Sequence, residues 1–274
     1  LGRNRIYLHQ PDDRELMRRQ GELRWLSKLT NALAENRFVL HSQKIMPIHG
    51  DRDDRYHLEV LLRLKSSNGD LISPASFIPA AERYDLMPEI DRWVIKNTLE
   101  SINRRLNAST MKSLHTISIN LSGNSFRDDS FLEFISRELA RSNIDARIIC
   151  FEITETSAIS NFSKAVHFIR ALKHQGCRFA LDDFGSGVSS FAYLKNLPVD
   201  YLKIDGGFVR DIANNAIDYA MVEAINKIGH VMKIETVAEF VEDESSMACV
   251  RSIGVDYAQG FGIQVPIPLE QTLQ

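Results

Sequence analysis

The sequence predicts an α/β protein, specifically a modified TIM (β/α)8 barrel whose first strand runs antiparallel to its neighbour. Eight short apolar or alternating runs follow Arg37, and amphipathic helical patterns or polar loops separate them. The length of residues 37–274 matches such a barrel. Residues 50–54 leave no room for a crossover helix, so the first two runs should form an antiparallel hairpin. A doubly wound open sheet is the alternative, because periodicity alone does not separate the two folds.

The order of the elements follows from these patterns. The predicted strands are Phe38–Met46, His57–Leu64, Thr116–Asn120, Ile148–Thr154, Arg178–Leu181, Tyr201–Ile204, Ile234–Ala238 and Asp256–Gln259. Helical patterns cover Ile90–Leu106, Ser130–Ala140, Ser163–Gln175 and Ile217–Met232. Before the barrel, Arg5–His9 predicts a short strand and Asp12–Glu35 a charged amphipathic helix, divided at Pro11.

Composition and charge exclude several classes of partner. The chain has 274 residues, 44% of them hydrophobic and 25% charged, which is ordinary for a globular protein with a sizeable core. The formal net charge of -3 provides no general basic field to attract duplex DNA or an acidic membrane. We therefore expect no DNA partner and no membrane contact from this segment.

The cysteines and the apolar runs indicate a compartment. Cys150, Cys177 and Cys249 are widely spaced and form no CxxC, which indicates neither a disulfide framework nor a sulfur-ligated metal. No apolar stretch approaches the roughly 20 residues of a membrane-spanning helix. A reducing cytoplasm is the simplest expectation, and Leu1 in place of Met suggests a piece of a longer chain, which could be anchored elsewhere.

Polar side chains lie in or near the ends of almost every apolar run. Buried carboxylates are costly unless they are paired or bind a cation, and active sites of barrels form at strand ends. Because oxygen ligands dominate, the implied ions are Mg²⁺ or Mn²⁺ ahead of Zn²⁺. The candidates are Glu59, Asn120, Glu152, Asp182, Asp183, Lys203, Glu239, Glu242 and Gln259.

The adjacent pair Asp182 and Asp183 indicates which reaction such a metal site could catalyse. Neighbouring residues of a regular strand point to opposite faces, but where the chain turns at a strand tip both can face one cation cluster. A bridging carboxylate can serve two metals about 4 Å apart, the arrangement used for in-line phosphoryl displacement. Lys203 beside them could orient or deprotonate the attacking water. The expected substrate is a phosphate ester.

A set of short motifs runs through the barrel sequence. They are Glu59-Val60-Leu61 followed by Leu62-Arg63, Gln43–Pro47, Phe77–Pro79, Asn120–Ser122, Glu152–Glu155, Asp182–Gly185, Leu202–Asp205, Val237–Glu239 and Gln259-Gly260. With these motifs, the sequence from about Arg37 to Pro266 resembles the EAL domain family of cyclic di-GMP phosphodiesterases, whose name motif is the first of them. Residues Gly2–Tyr7 resemble the final strand of a GGDEF domain, the cyclase domain often fused upstream.

The resemblance implies hydrolysis of cyclic di-GMP to linear pGpG at a site with two metal ions, Mg²⁺ or Mn²⁺. It implies one metal on Glu59, Asn120, Glu152 and Asp182, and a second on Asp182, Asp183 and Glu239. Lys203 resembles the residue that positions or deprotonates water, and Glu59, Glu242 and Gln259 complete the catalytic group. The resemblance further implies that Arg63, Gln43 and Asp205 contact the substrate. Glu155 resembles the glutamate that stabilises the loop after Asp183.

The resemblance also predicts a domain arrangement and partners. Residues 1–10 would be the end of a GGDEF-like domain, 11–36 a linker helix and 37–274 the EAL domain. A homodimer is expected. Val60 replaces the alanine of the family motif and should point away from the site, while Phe240 replaces a frequent glycine.

Two other functions remain open at this point. One is a catalytically weak or silent receptor that binds cyclic di-GMP and signals by contact. The other is an unrelated metal-dependent barrel enzyme. Because no metal ligand of the family and no lysine is missing, the active phosphodiesterase is favoured.

Overall fold

A closed eight-stranded barrel forms the centre of the computed structural model, which describes residues 25–49, 55–105, 113–187 and 191–273. The barrel strands run in the order β1, β2, β4, β5, β6, β7, β8, β9 and close again on β1. The strands are β1 (Phe38–Pro47), β2 (Tyr56–Lys65), β3 (Leu71–Ile72), β4 (Leu114–Leu121), β5 (Ile149–Thr154), β6 (Arg178–Phe184), β7 (Tyr201–Ile204), β8 (Glu235–Ala238), β9 (Tyr257–Gln259) and β10 (Ile267–Pro268).

The first strand runs against its neighbours, as predicted. β1 pairs antiparallel with β2 and with β9, whereas the remaining barrel pairs, from β2–β4 to β8–β9, are parallel. Closure excludes the open doubly wound sheet. The register sets Gln43 opposite Glu59 on β1 and β2, which brings two of the predicted site residues together.

Helices surround the barrel. Following 25–34 (α1), they are α2 (Ile78–Arg83), α3 (Met87–Arg105), α4 (Asp129–Ser142), α5 (Glu155–Ser160), α6 (Phe162–His174), α7 (Phe191–Leu194), α8 (Gly206–Val209), α9 (Ala216–Val231), α10 (Glu244–Ile253) and α11 (Leu269–Thr272). Short 3-10 turns cover Pro74–Ser76, Ser125–Arg127 and Ala146–Ile148. Several helices begin where a side chain accepts from free backbone N–H groups, as Asp128 does for α4 and Asn215 for α9.

Most predicted elements are confirmed, with small differences at their ends. The two-residue strands β3 and β10 were not predicted, because two residues cannot show an alternation. The strand predicted at 5–9 and the first half of the helix predicted at 12–35 lie outside the described residues. The end of that prediction, 25–34, is helical.

Side-chain alternation divides the interior of the protein into two regions. On β5, Ile149, Phe151 and Ile153 face outward into the large core between barrel and helices, and Val60 of β2 packs there too. Inside the barrel lies a smaller apolar cluster of Ile45, Cys150, Ala180, Tyr201, Val237 and Tyr257.

The polar residues of the site lie one step above that inner cluster. A side chain two residues farther along a strand stays on the same face, nearer the carboxyl end. On the parallel strands, the residues two positions after the inner cluster are Glu152, Asp182, Lys203, Glu239 and Gln259. The fold therefore fills the lower barrel with apolar groups and its upper end with ionisable ones. No helix among the described residues is both long and apolar enough to cross a membrane.

Candidate active site at the carboxyl ends of the strands

Lys203 lies at the centre of the upper barrel, with 1% of its side chain exposed. Its Nζ donates to Glu152 Oε2 at 2.7 Å and lies 2.8 Å from Glu239 Oε1. Asp182 Oδ1 is 3.1 Å and Glu59 Oε2 3.4 Å from the same nitrogen. Burial alone would lower the pKa of Lys203, but the surrounding carboxylates outweigh burial and raise the pKa well above its ordinary value. Lys203 therefore carries a positive charge at the centre of the site.

Neutral amides fix the carboxylate of Glu59. Asn120 Nδ2 donates to Glu59 Oε1 at 2.7 Å, and Gln259 Nε2 donates to Oε2 at 2.6 Å. The same Gln259 nitrogen lies 3.0 Å from Gln43 Oε1, so these side-chain hydrogen bonds link Glu59 through Gln259 to Gln43 on β1. Although burial opposes it, the charge of Lys203 and these hydrogen bonds lower the pKa of Glu59. Glu59 is thereby held ionised and in one orientation.

A distortion at the end of β6 turns both aspartates towards the site. The β6–β7 pairing shifts register between Leu181 and Phe184, and Asp183 adopts a left-handed φ of 54°. Oxygen atoms of Asp182, Asp183 and Glu239 consequently lie within 4.8 Å of one another. The bulge therefore provides the geometry that a regular strand could not.

The balance of charge at this centre fits a hard divalent cation. Five carboxyl groups converge near the ammonium of Lys203, and they belong to Glu59, Glu152, Asp182, Asp183 and Glu239. Asp182 Oδ1, although close to Nζ, is buried and accepts no hydrogen bond from the described residues. Burial and the neighbouring charges raise the pKa of Glu152 to about 8 and that of Asp183 to about 6. Divalent ions with oxygen preference, held above all by Asp182, Asp183 and Glu239, would offset this excess negative charge.

The raised pKa values predict a pH dependence of stability for the metal-free protein. In the folded state Asp183 and Glu152 bind protons more tightly than in the unfolded chain, so their contribution is complete at low pH and is lost as pH rises through their folded pKa values. We expect the melting temperature in EDTA to fall as the pH rises from about 4, the unfolded pKa of these groups, to about 8. Scanning fluorimetry checks this, and Asp183→Asn should flatten the slope. A slope that is equally steep in that variant would contradict the assignment.

Glu155 holds the loop that follows Asp183. It is 1% exposed, and its Oε2 accepts from the backbone N–H of Gly185 at 3.0 Å. The hydroxyl of Tyr193 donates to the other carboxylate oxygen. The loop packs tightly, because a Cβ on Gly185 would lie 2.6 Å from the ring of Phe208. Tyr193 was not predicted, since a contact 38 residues away leaves no signal in a single sequence.

The remaining candidates line or flank a cleft beside the carboxylates. A cavity of about 180 Å³ is bordered by Gln43, Arg63, Glu239 and Glu242, among others. Arg63 is partly buried, and its Nη1 donates to the carbonyl of its neighbour Leu62 at 2.8 Å. Glu242 is exposed at the rim of the cleft.

Asp205 has a local structural partner. Its Oδ1 accepts from the backbone N–H of Gly207 at 2.8 Å and so caps α8, directly after the strand that carries Lys203. It also adds to the negative charge that raises the pKa of Asp183. The structure therefore places Asp205 beside the carboxylate centre.

The fold and the site together define a mixed (β/α)8-type barrel with an acidic, oxygen-rich centre at the carboxyl ends of its strands. The chain belongs to the EAL domain family, whose model matches residues 26–266.

Two curated relatives show the extent of the similarity. Cyclic di-GMP phosphodiesterase PdeB of Shewanella oneidensis is 44% identical over 268 residues, covering 98% of this chain and 31% of that protein. Cyclic di-GMP phosphodiesterase PdeF of Escherichia coli is 42% identical over 248 residues, covering 90% of this chain and 32% of that protein. The chain thus spans about a third of the length of these relatives.

Solved structures share the fold. The PaMucR phosphodiesterase in complex with c-di-GMP has a TM-score of 0.83 at 31% identity, covering 90% of this chain and 99% of that one. The FimX EAL domain from Pseudomonas aeruginosa bound to c-di-GMP has a TM-score of 0.80 at 29% identity, covering 88% and 96%.

Proposed function

We propose that this chain is a metal-dependent phosphodiesterase that hydrolyses cyclic di-GMP to pGpG. The convergence of Lys203 and the five carboxylates at one end of the barrel is the observation that carries the proposal. The names of PdeB and PdeF, and the c-di-GMP bound to PaMucR and FimX, support the choice of substrate.

The reaction we propose is a hydrolytic displacement at phosphorus. The oxygen of a water molecule forms a bond to one phosphorus of the ring, and the bond from that phosphorus to a ribose 3′ oxygen breaks. The departing 3′ oxygen takes a proton, and the opened dinucleotide keeps a 5′ phosphate. No oxidant or further reactant is needed.

The metal ligands we propose are Glu59, Asn120, Glu152 and Asp182 for one ion, and Asp182, Asp183 and Glu239 for the second. Mg²⁺ or Mn²⁺ there supplies Lewis-acid stabilisation of phosphate charge and lowers the pKa of water. The bulge at Asp183 and the amide bonds to Glu59 prepare the ligand atoms before an ion arrives, which reduces the cost of ordering them.

The protein groups have separate tasks in this proposal. Arg63, on the same strand face as Glu59, binds the phosphate. Lys203, kept charged by its carboxylate partners, donates a hydrogen bond that orients the attacking water. Gln259 holds Glu59 in place, and Glu242 completes the catalytic group. Gln43, which accepts a hydrogen bond from Gln259, and Asp205 contact the substrate. Glu155 holds the loop after Asp183.

A direct assay tests the proposal. Purified protein is incubated with cyclic di-GMP in EDTA, in Mg²⁺ and in Mn²⁺, and the products are separated by chromatography. We expect pGpG only where metal is present. Binding of intact cyclic di-GMP without turnover would instead identify a receptor. Absence of both binding and turnover would contradict the assignment of cyclic di-GMP as the substrate.

Several wider features of the protein belong to the same proposal. We infer that residues 11–36 form a linker helix between a GGDEF-like domain ending near residue 10 and the EAL domain of 37–274, and that two copies form a homodimer. The bifunctional diguanylate cyclase/cyclic di-GMP phosphodiesterase MucR of Pseudomonas aeruginosa, 32% identical over 255 residues, supports the upstream cyclase-like domain. A cytoplasmic location suits the free, buried thiols of Cys150 and Cys177.

A further inference from the structure

Phe240 stands in an unusual backbone conformation directly after Glu239. Its φ is 54°, in the left-handed region that a bulky side chain rarely adopts, and 43% of the residue is exposed. Strain of this kind persists where the surrounding structure over-determines it, and such positions cluster at functional sites.

The ring of Phe240, which follows β8, packs against the short helix α8 that follows β7. It packs on Gly206 after β7, so closely that a Cβ there would lie 2.0 Å from Phe240 Cδ2. The guanidinium carbon of Arg210 lies 4.2 Å from the ring centroid. The ring fits only because residue 206 lacks a side chain, and these contacts hold it in one place.

The held ring also borders the cleft beside the carboxylates. It lines the same cavity as Arg63, Gln43 and Glu242. A cationic side chain suited to phosphate and an aromatic surface suited to a base therefore border the same cavity. Nucleotides present both of these chemical features, and aromatic side chains bind bases through stacking.

We propose that Phe240 is a specificity-determining residue that binds a guanine base of the substrate, with Gly206 and Arg210 holding its ring in position. The inference rests on the proposed function, because it assumes a guanine dinucleotide in the cleft. It adds a base contact to a site otherwise described by metal and phosphate contacts.

Three substitutions at Phe240 test the inference by their effects on kcat and KM for cyclic di-GMP. Phe240→Gly removes the ring and relieves the left-handed strain, so loss of folding is not expected. Phe240→Leu keeps apolar bulk without a π face, and Phe240→Tyr keeps the ring. We expect KM to rise about tenfold for Gly and Leu, with kcat within about twofold, and Tyr to stay near wild type.

Controls separate a base contact from a structural role. The rise in melting temperature on adding Mn²⁺ should be the same in all three variants, which shows that Glu239 is undisturbed. Ile217→Ala, at an apolar side chain on α9 with 74% of the residue exposed, should leave KM unchanged.

The outcomes distinguish this inference from the proposed function. A wild-type protein without turnover would overturn the phosphodiesterase, and the same variants would then be compared by their dissociation constants for cyclic di-GMP. Unchanged KM or affinity in Phe240→Gly, or a leucine variant equal to wild type, would overturn the base contact while leaving the phosphodiesterase intact. A wild-type protein that neither binds nor hydrolyses cyclic di-GMP would overturn both.

Discussion

Lys203→Met should reduce hydrolysis of cyclic di-GMP to less than about a hundredth of the wild-type rate. Methionine keeps the length and the apolar stem of the side chain and removes only the ammonium. The nitrogen that it removes lies 2.7 Å from Glu152 Oε2 and 2.8 Å from Glu239 Oε1, among the proposed metal ligands. Without the ammonium, the hydrogen bond that we propose to orient the attacking water is lost, so kcat falls. Single-turnover chromatography of pGpG measures the effect.

The same substitution should destabilise the metal-free protein. Breaking a buried ion pair by removing one partner costs about 3–5 kcal/mol, because the remaining charges are left uncompensated. Added Mn²⁺ should recover part of the lost stability through the same carboxylates. Lys227→Met, at an exposed lysine of α9, is the matched control and should leave both rate and melting temperature unchanged. Near-normal turnover in Lys203→Met would contradict the role of this lysine.

The parts of the fold that were predicted from the sequence are those with a local signal. The short connection between the first two runs predicted their antiparallel pairing, and amphipathic periodicity located α3, α4, α6 and α9. Closure into a barrel was expected from the count of runs, but not from their pattern, because the pairing of β1 with β9 joins the two ends of the domain. Long-range pairing of this kind leaves no trace in periodicity.

Some residues of the candidate site could likewise be placed from local patterns, whereas others could not. The alternation of β5 and β7 is enough to place Glu152 and Lys203 on the inner face, since each lies two residues beyond an inner-cluster residue. The bulge that turns Asp183 inward depends on the pairing of β6 with β7. The contact between Phe240 and Gly206 depends on how the segment after β8 packs against helix α8. Those details are set by tertiary structure, so only a resemblance or a structure can supply them.

Asp182→Asn should abolish turnover and weaken Mn²⁺ binding by more than about a hundredfold, yet leave the metal-free protein more stable. Asp182 is proposed to serve both metals, so the loss of its charge affects the whole centre. Burial raises the pKa of Asp183, Glu152 and Glu239, and in the absence of metal the charge of Asp182 raises these pKa values further and so disfavours the ionised forms. Neutralising Asp182 relieves that repulsion, while Lys203 Nζ keeps Glu59, Glu152 and Glu239 within 3.4 Å.

The opposite signs of these two effects make Asp182→Asn more informative than an activity assay alone. A substitution that merely damages the fold lowers both turnover and melting temperature, whereas loss of a metal ligand should lower turnover and raise the melting temperature in EDTA. Adding Mn²⁺ should raise the melting temperature of wild type but hardly that of the variant. Asp70→Asn, at an exposed surface turn, is the matched control and should behave as wild type in each measurement. If Mn²⁺ stabilises Asp182→Asn as strongly as wild type, the cation binds elsewhere and the proposed ligand set is wrong.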